Sequence, residues 1–328
     1  MLNNFINKKD FLDLINKGPQ IVSKLFKKIT LQNTSRVQEK WSLTEYHLQN
    51  WWDIPEIRKR WNKMITGNEN TEYYEYVSKK YFEGRENLLG LSLGCGTGHR
   101  ELKWVEQGKF KSIKAIDLSK SRIESAVKEA KILGYDKIIE YKVANINNFD
   151  FPESYFDVIF VEQSLHHFSP LKVILKKIKN AIKPDGFFII NEYVGPTRFQ
   201  WTEKQLEVVN GLLSILPERY KLMAGNNREK KSRVYRPSKL RMILRDPSEA
   251  VESSNILPFL GEMFETLEVI EYGGTILQLL FSEIAHNFIS SQYEVKRWLK
   301  IYFEIEDLLL MEKELNSDFI FIVCKKIG

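Results

Sequence analysis

Short apolar runs alternate with helical periodicity between residues 87 and 193 of the 328-residue chain. Strand-like runs lie at residues 88–93, 113–118, 138–146, 156–164 and 187–193. A helix is expected to begin at Ser119 and to stop at Gly134, and a second apolar helical stripe runs through residues 171–182. Strands that alternate with helices of this length form parallel βαβ units. The sequence therefore predicts an α/β fold with a doubly wound sheet.

The regions on either side of this alternation have a different sequence pattern. A turn is expected at Pro184-Asp185-Gly186, directly before the fifth strand. Beyond Tyr193 the alternation stops, and a charged, mostly helical stretch follows. We predict four parts: an N-terminal helical region or cap (1–86), a sheet core (87–194), a mostly helical insertion that covers the substrate as a lid (195–263), and a C-terminal part of the core sheet (264–328).

The N-terminal region is rich in tryptophan. Pro55 is expected in the first turn of a helix that begins near Asp53, a position that tolerates the missing N–H. The aromatic side chains could pack the N-terminal helices onto the core, or some of them could roof a ligand site. The tryptophans concerned are Trp41, Trp51, Trp52 and Trp61.

A glycine-rich stretch follows the first predicted strand. Gly94, Gly96 and Gly98 lie between that strand and a helix, and Asp117 ends the second strand nineteen residues after Gly98. Glycines allow a ligand to approach the backbone, and the free N–H groups of a helix start favour negative charge. An acid at the end of the second strand suits a ribose diol. Together these features predict a cofactor that contains a nucleoside.

Four motifs in this core resemble, in order, those of the class I S-adenosylmethionine (SAM)-dependent methyltransferases. They are LSLGCGTG, AIDLS, FDVIFVEQSLHHF and IKNAIKPDGFFIINEY. The resemblance implies a Rossmann-like, seven-stranded, mostly parallel sheet whose last strand, DFIFIVCKK, is antiparallel. It also implies that SAM is the cofactor, that S-adenosylhomocysteine is the product and that no metal is needed.

The resemblance also assigns roles to single residues. It places the glycine loop around the methionine part of SAM, Asp117 on the ribose and Leu118 against the adenine. Two positions depart from the family pattern: Ser92 replaces an acid that orients the cofactor ammonium group, for which Glu162 or Gln163 could compensate, and Asn145 replaces an acid that faces the adenine. The expected cofactor-binding residues are Gly94, Cys95, Gly96, Gly98, Asp117, Leu118, Asn145, Ile146 and Gln163.

His166 and His167 are the candidate catalytic residues. They follow the fourth strand, at the edge of the sheet where such folds bind ligands, and histidine can accept a proton near neutral pH. In plant small-molecule O-methyltransferases, which this stretch resembles, a similar position carries a base histidine, and His166 matches it better than His167. Either histidine could instead line the pocket, cap a helix or pack.

Candidate substrate contacts follow the fifth strand. They are Glu192 and Tyr193 at the strand end, and Arg198 and Trp201 at the start of the insertion.

The stretch 228–245 holds eight Lys or Arg residues and one Glu. It could bind a phosphate, a carboxylate or a nucleic-acid backbone, or it could be a solvated loop.

Composition limits these possibilities only weakly. The formal net charge of +6 argues neither for nor against nucleic acid, and the two cysteines predict neither a disulfide framework nor a metal site. No apolar run reaches the ~20 residues of a membrane span, and no signal peptide is evident, so we expect a cytoplasmic protein.

The favoured hypothesis is methyl transfer to a small molecule, at oxygen, with a sugar or glycan as one possible acceptor. Methylation of RNA or protein and a non-catalytic binding module are the alternatives; the oligomeric state stays open.

Overall fold

The computed structural model describes residues 50–225 and 229–327. The expectations for residues 1–49, Trp41 among them, lie outside the described residues. The helices and strands, in chain order, are α1 (Pro55–Thr66), α2 (Tyr73–Tyr81), β1 (Leu88–Leu93), α3 (His99–Val105), β2 (Phe110–Asp117), α4 (Lys120–Ile132), β3 (Ile139–Val143), β4 (Phe156–Glu162), α5 (Leu171–Ala181), β5 (Ile182–Tyr193), α6 (Glu203–Ile215), α7 (Lys239–Arg245), α8 (Ile256–Met263), β6 (Phe264–Gly273), α9 (Leu277–Phe281), α10 (Tyr293–Met311) and β7 (Phe319–Lys326).

Seven strands form one sheet, in the order β3-β2-β1-β4-β5-β7-β6. Strands β1 to β5 pair in parallel, while β7 lies antiparallel between β5 and β6. The order reverses between β1 and β4, which opens a crevice at the carboxyl ends of these strands. The predicted seven-stranded sheet with an antiparallel last strand is confirmed.

Apolar side chains cover both faces of the sheet. One buried cluster lies on the face that also packs α1, α2 and α3, and the other lies beneath α5 and α8. Burial on both faces explains why the central strands are near-continuous apolar runs without alternation. In β4, for example, Val158 to Val161 are all fully buried.

Two local expectations are corrected by the structure. The turn at Pro184-Asp185-Gly186 is an irregularity inside a longer β5, where the pairing with β4 jumps from Phe156↔Ile182 to Val158↔Phe187. Burying Ile182 against β4 keeps the chain in the sheet before the bulge. The insertion holds α6, α7 and α8, but long stretches between these helices are irregular or single 3-10 turns.

The described tryptophans of the N-terminal region serve packing. Pro55 is the first residue of α1, as predicted. The ring of Trp51 contacts those of Trp61 and Phe319, with centroids 4.9 and 5.3 Å away, and Trp52 is partly exposed. None of these three tryptophans lines either of the cavities described below. Among the described residues, no helix has the length and apolar composition needed to cross a bilayer.

Candidate active site

The loop after β1 needs glycine for steric reasons. Gly94, Gly96 and Gly98 have φ values of 76°, 57° and 78°, in the left-handed region that other residues rarely adopt. A Cβ added to Gly94 would lie 2.5 Å from the Cβ of Ser164, two residues after the end of β4. The backbone of this loop therefore packs directly against the neighbouring strand end, where a larger residue would not fit.

Asp117 fixes the same loop from the end of β2. One carboxylate oxygen accepts the backbone N–H of Gly96 at 2.9 Å, and the other accepts that of Ser119 at 2.8 Å. Each oxygen can accept a further hydrogen bond, so the half-buried carboxylate can still bind a diol. Ser119 then caps α4, where its side chain accepts the N–H of Arg122.

A cavity of about 520 Å³ opens at this edge of the sheet, and we call it the glycine-loop cavity. The half-buried apolar side chains of Leu118 and Ile146 lie beside its polar groups. A nucleoside with an amino-acid tail fits this set: a carboxylate for the ribose, apolar surface for the base and a side-chain-free loop. Of the nine expected cofactor-binding residues, those lining it are Gly94, Asp117, Leu118, Asn145, Ile146 and Gln163; Cys95, Gly96 and Gly98 lie in the adjoining loop.

Ser92, which replaces the acid of the family pattern, lies beside an acidic residue that the sequence did not suggest. The hydroxyl of Ser92 lies 2.5 Å from the carboxyl group of Glu101, which is almost fully buried. Burial raises the pKa of Glu101 to about 7. The expected substitute, Glu162, is already bound, since its two oxygens accept from Tyr73 and Trp104.

His166 lies between two carboxylates. Its Nδ1 bonds Glu192, and its Nε2 is 3.5 Å from Glu249. Burial acts to lower the pKa of His166, but the charges and hydrogen bonds of Glu192 and Glu249 outweigh it and raise the pKa to about 10. His166 is therefore protonated at neutral pH and cannot accept a further proton there.

The pKa of His167 is lowered, in contrast to that of His166. The largest cause is burial, and the next is the positive charge of His166. The Nδ1 of His167 lies 3.1 Å from the hydroxyl of Ser248, which donates its own proton to Asp246 at 2.6 Å. The serine oxygen must therefore accept from Nδ1–H, which leaves the lone pair on Nε2. His167 lines the glycine-loop cavity as a neutral imidazole.

The pairing of Glu192 with His166 predicts a pH-dependent stability. Glu192 is fully buried and also accepts the N–H groups of Ser164 and Leu165. The folded pKa of His166, about 10, exceeds the ~6.5 of an unfolded chain, so the pair stabilises fully below pH ~6.5 and progressively less up to pH ~10. We expect Glu192→Gln to lower the free energy of unfolding by about 3 kcal/mol at pH 6. Urea unfolding at pH 6, 8 and 10 should show a difference that shrinks with pH; a constant difference would contradict the assigned charge.

A second cavity, of about 380 Å³, is lined by Glu249, the carboxylate that lies 3.5 Å from Nε2 of His166, and we call it the arginine cavity. Trp201 lines it, whereas Arg198 lines the glycine-loop cavity. Glu192 and Tyr193, expected to face the substrate, line neither: the first holds His166 and backbone N–H groups, and the buried hydroxyl of the second donates to the carbonyl of Pro196.

His166, His167 and Glu249 form a set that could hold a metal ion, because they place one ligand atom each within 4.8 Å of one another. Metal binding requires a neutral imidazole. The protonation of His166 opposes it, and we assign no metal site to this set.

The site residues that sequence analysis missed are Ser248, Asp246 and Glu249. They lie about 80 residues after the histidines, in an irregular stretch between α7 and α8. The Asp246-Pro247-Ser248 turn signal is visible in the sequence, but nothing local indicates that this turn packs against His167.

Part of the chain is similar to known methyltransferases. Residues 91–190 match a family model described as a methyltransferase domain. The "Uncharacterized methyltransferase YcgJ" of Bacillus subtilis is 25% identical over 117 residues, 36% of this chain and 45% of that protein. Phosphoethanolamine N-methyltransferase 3 of Arabidopsis thaliana is 27% identical over 103 residues, 31% of this chain and 20% of that protein. The chain thus spans less than half the length of these relatives.

A solved structure extends the likeness in fold. A geranyl diphosphate methyltransferase in complex with its diphosphate and sinefungin superposes with a TM-score of 0.52 at 11% identity, over 90% of this chain and all of that one. This level of identity shows the fold alone. Residues 91–190 therefore match a methyltransferase domain, and the sheet that contains them has the α/β fold of the methyltransferases.

Proposed function

We propose that the protein transfers a methyl group from SAM to an oxygen atom of a small molecule. The observation that carries this proposal is that one short segment, residues 246–251, lines both cavities. Pro247, Ser248 and Val251 face the glycine-loop cavity, and Asp246 and Glu249 face the arginine cavity. A cofactor in the first and an acceptor in the second would meet at this segment, beside the histidine pair.

The residues around SAM are the glycine loop, Asp117 and the apolar pair Leu118 and Ile146. When bound, SAM supplies a positively charged sulfonium whose methyl group is open to attack by a lone pair. Holding the reactants in line can contribute several kcal/mol to such a displacement. The protein therefore needs to place the acceptor oxygen and to remove its proton.

His167 is the proposed proton acceptor. Its lone pair is on Nε2, because Nδ1–H is committed to Ser248, and its lowered pKa keeps this nitrogen unprotonated at neutral pH. The neighbouring His166 holds a positive charge between Glu192 and Glu249. The charge opposes protonation of the resting His167 and orients Glu249 at the acceptor side, so His166 is proposed as a positioning residue.

The relatives support a small acceptor. Phosphoethanolamine and demethylmenaquinone, named in two of the matched methyltransferases, are both small molecules. The arginine cavity is of a size for a metabolite, and the charged side chains in its wall are consistent with a sugar-like acceptor.

Labelled methyl transfer tests the proposal. Purified protein, SAM labelled in its methyl group and an extract of the source organism are incubated, and metabolite, glycan, lipid, protein and RNA fractions are counted separately. We expect label in metabolites or soluble glycans, released by acid or glycosidase treatment as O-methyl compounds. Label confined to RNA or protein would contradict the small-molecule proposal, and the Asp117→Ala variant provides the background.

A further inference from the structure

We propose that the arginine cavity binds a phosphate group on the acceptor, so that the substrate is a phosphate ester with a ring-shaped body. This inference deepens the proposed function and rests on it for the role of the ligand. Its observations, however, concern the arginine cavity alone.

Positive charge is concentrated around this cavity. Four arginines line it, together with the three acids Asp246, Glu249 and Glu283. Arg236 and Arg241 are half-buried, while Arg233 and Arg245 are exposed. A cavity wall that collects this many guanidinium groups favours an anionic ligand. Lys231 also lines the cavity, but its ammonium donates to the carbonyls of residues 279, 280 and 282 and thereby anchors the wall.

The arginines are placed from two sides. Arg241 and Arg245 are four residues apart on α7 and therefore share one face of that helix. Arg236 is held in orientation, since its Nε donates to the carbonyl of Trp201 and its Nη2 lies 2.9 Å from Glu203. Arginines from different segments that line one cavity suit a phosphate, which offers three acceptor oxygens and up to two charges, better than a single planar carboxylate.

Aromatic rings form another part of the wall. The rings of Phe199 and Trp201 are nearly parallel, with an angle of 15° and centroids 5.5 Å apart. Arg198 and Phe199 both have positive φ, 58° and 50°, an uncommon conformation for consecutive residues other than glycine. This backbone sends Arg198 to the glycine-loop cavity and Phe199 to the arginine cavity. Strain of this kind is typical of functional sites. The stacked pair of Phe199 and Trp201 gives the cavity an aromatic wall beside its arginines, which suits a ring-shaped ligand.

The position of Glu249 connects the anion site with the chemistry. Its carboxylate lines the arginine cavity and lies 3.5 Å from Nε2 of His166. His167 follows His166 in the chain. A carboxylate repels phosphate and accepts from a hydroxyl. Phosphate is therefore expected at the arginine end, with a hydroxyl of the same molecule turned towards Glu249 and the histidines.

Calorimetric titration of pyrophosphate and inorganic phosphate into the full chain tests the inference without requiring SAM or turnover. We expect saturable binding of pyrophosphate that weakens by at least ~10-fold in the Arg241→Gln/Arg245→Gln double variant, because each lost guanidinium removes charged hydrogen bonds. Arg297→Gln, an exposed arginine on α10 outside both cavities, is the matched control and should bind as the unmodified protein does. Circular dichroism and thermal unfolding of the same samples confirm that each variant is folded.

The possible outcomes are distinct. Loss of pyrophosphate binding in the double variant alone supports the phosphate site, whether or not methyl transfer is ever detected. Equal binding in all variants, equally tight binding of acetate, or absence of binding overturns it. Retention of RNA on a filter that depends on Arg241 and Arg245, without pyrophosphate binding, would also overturn it and would favour a nucleic-acid surface. Failure of SAM to bind the unmodified chain would instead contradict the proposed function.

Discussion

Replacing His167 with alanine lowers kcat by about 100-fold or more and leaves the affinity for SAM within about twofold. The expected loss is that of a general base. It follows from the hydrogen-bond chain His167–Ser248–Asp246, which directs the lone pair of the imidazole to Nε2. Steady-state rates of methyl transfer and calorimetric titration of SAM measure the two quantities separately.

The pH dependence provides a second measurement of the same role. Because the pKa of His167 is lowered, kcat/KM should stay level from pH 8 down to about pH 6.5 and should fall only at lower pH. The decrease should disappear in the alanine variant. His286→Ala is the control, since His286 lines neither cavity and its loss should leave the rate unchanged. A His167→Ala enzyme with a normal rate would exclude His167 as the base, and an equal loss in both variants would indicate a general structural effect.

Replacing Asp117 with alanine weakens SAM binding by about 100-fold or more. The variant removes the carboxylate proposed to accept two hydrogen bonds from the ribose, and a hydrogen bond to a charged group contributes about 1.5–3 kcal/mol. The variant also removes the acceptor for the N–H groups of Gly96 and Ser119, which loosens the loop and the start of α4. Equilibrium dialysis with labelled SAM measures the change in Kd.

The control for this variant is Asp136→Ala. Asp136 is an exposed carboxylate after α4, remote from the glycine-loop cavity, so the same change in charge should leave SAM binding unaltered. A similar Kd for both variants would show that Asp117 does not bind the ribose. Asp117→Asn distinguishes the two contributions, because its amide oxygen can still accept one loop N–H while the charge is lost.

Much of the fold could be predicted because its signals are local. The run at residues 88–93 is β1 as predicted, and Ser119 and Gly134 bracket α4 because a cap and a left-handed glycine act over three or four residues. The turn expected at Pro184–Gly186 was wrong for a tertiary reason. Ile182 pairs with Phe156 of β4, which overrides the local preference of proline and glycine.

The residues of the candidate site also differ in whether their signals are local or depend on tertiary contacts. Gly94 and Asp117 could be predicted because the loop chemistry depends on a short spacing. The environment that distinguishes His166 from His167 could not, since it comes from Glu192 on one strand and from Ser248 and Glu249 in the insertion. Likewise, the serine at position 92 could be recognised as a departure, but its contact with Glu101 depends on how α3 packs across β1.

Direct titration of SAM into the unmodified full chain tests the central claim most directly. That claim is that the glycine-loop cavity, with Asp117 at its rim, is a cofactor site. The structure predicts saturable binding of one SAM per chain, competed by S-adenosylhomocysteine. Absence of saturable binding, or binding that S-adenosylhomocysteine cannot displace, would contradict the cofactor site and the methyl transfer built on it.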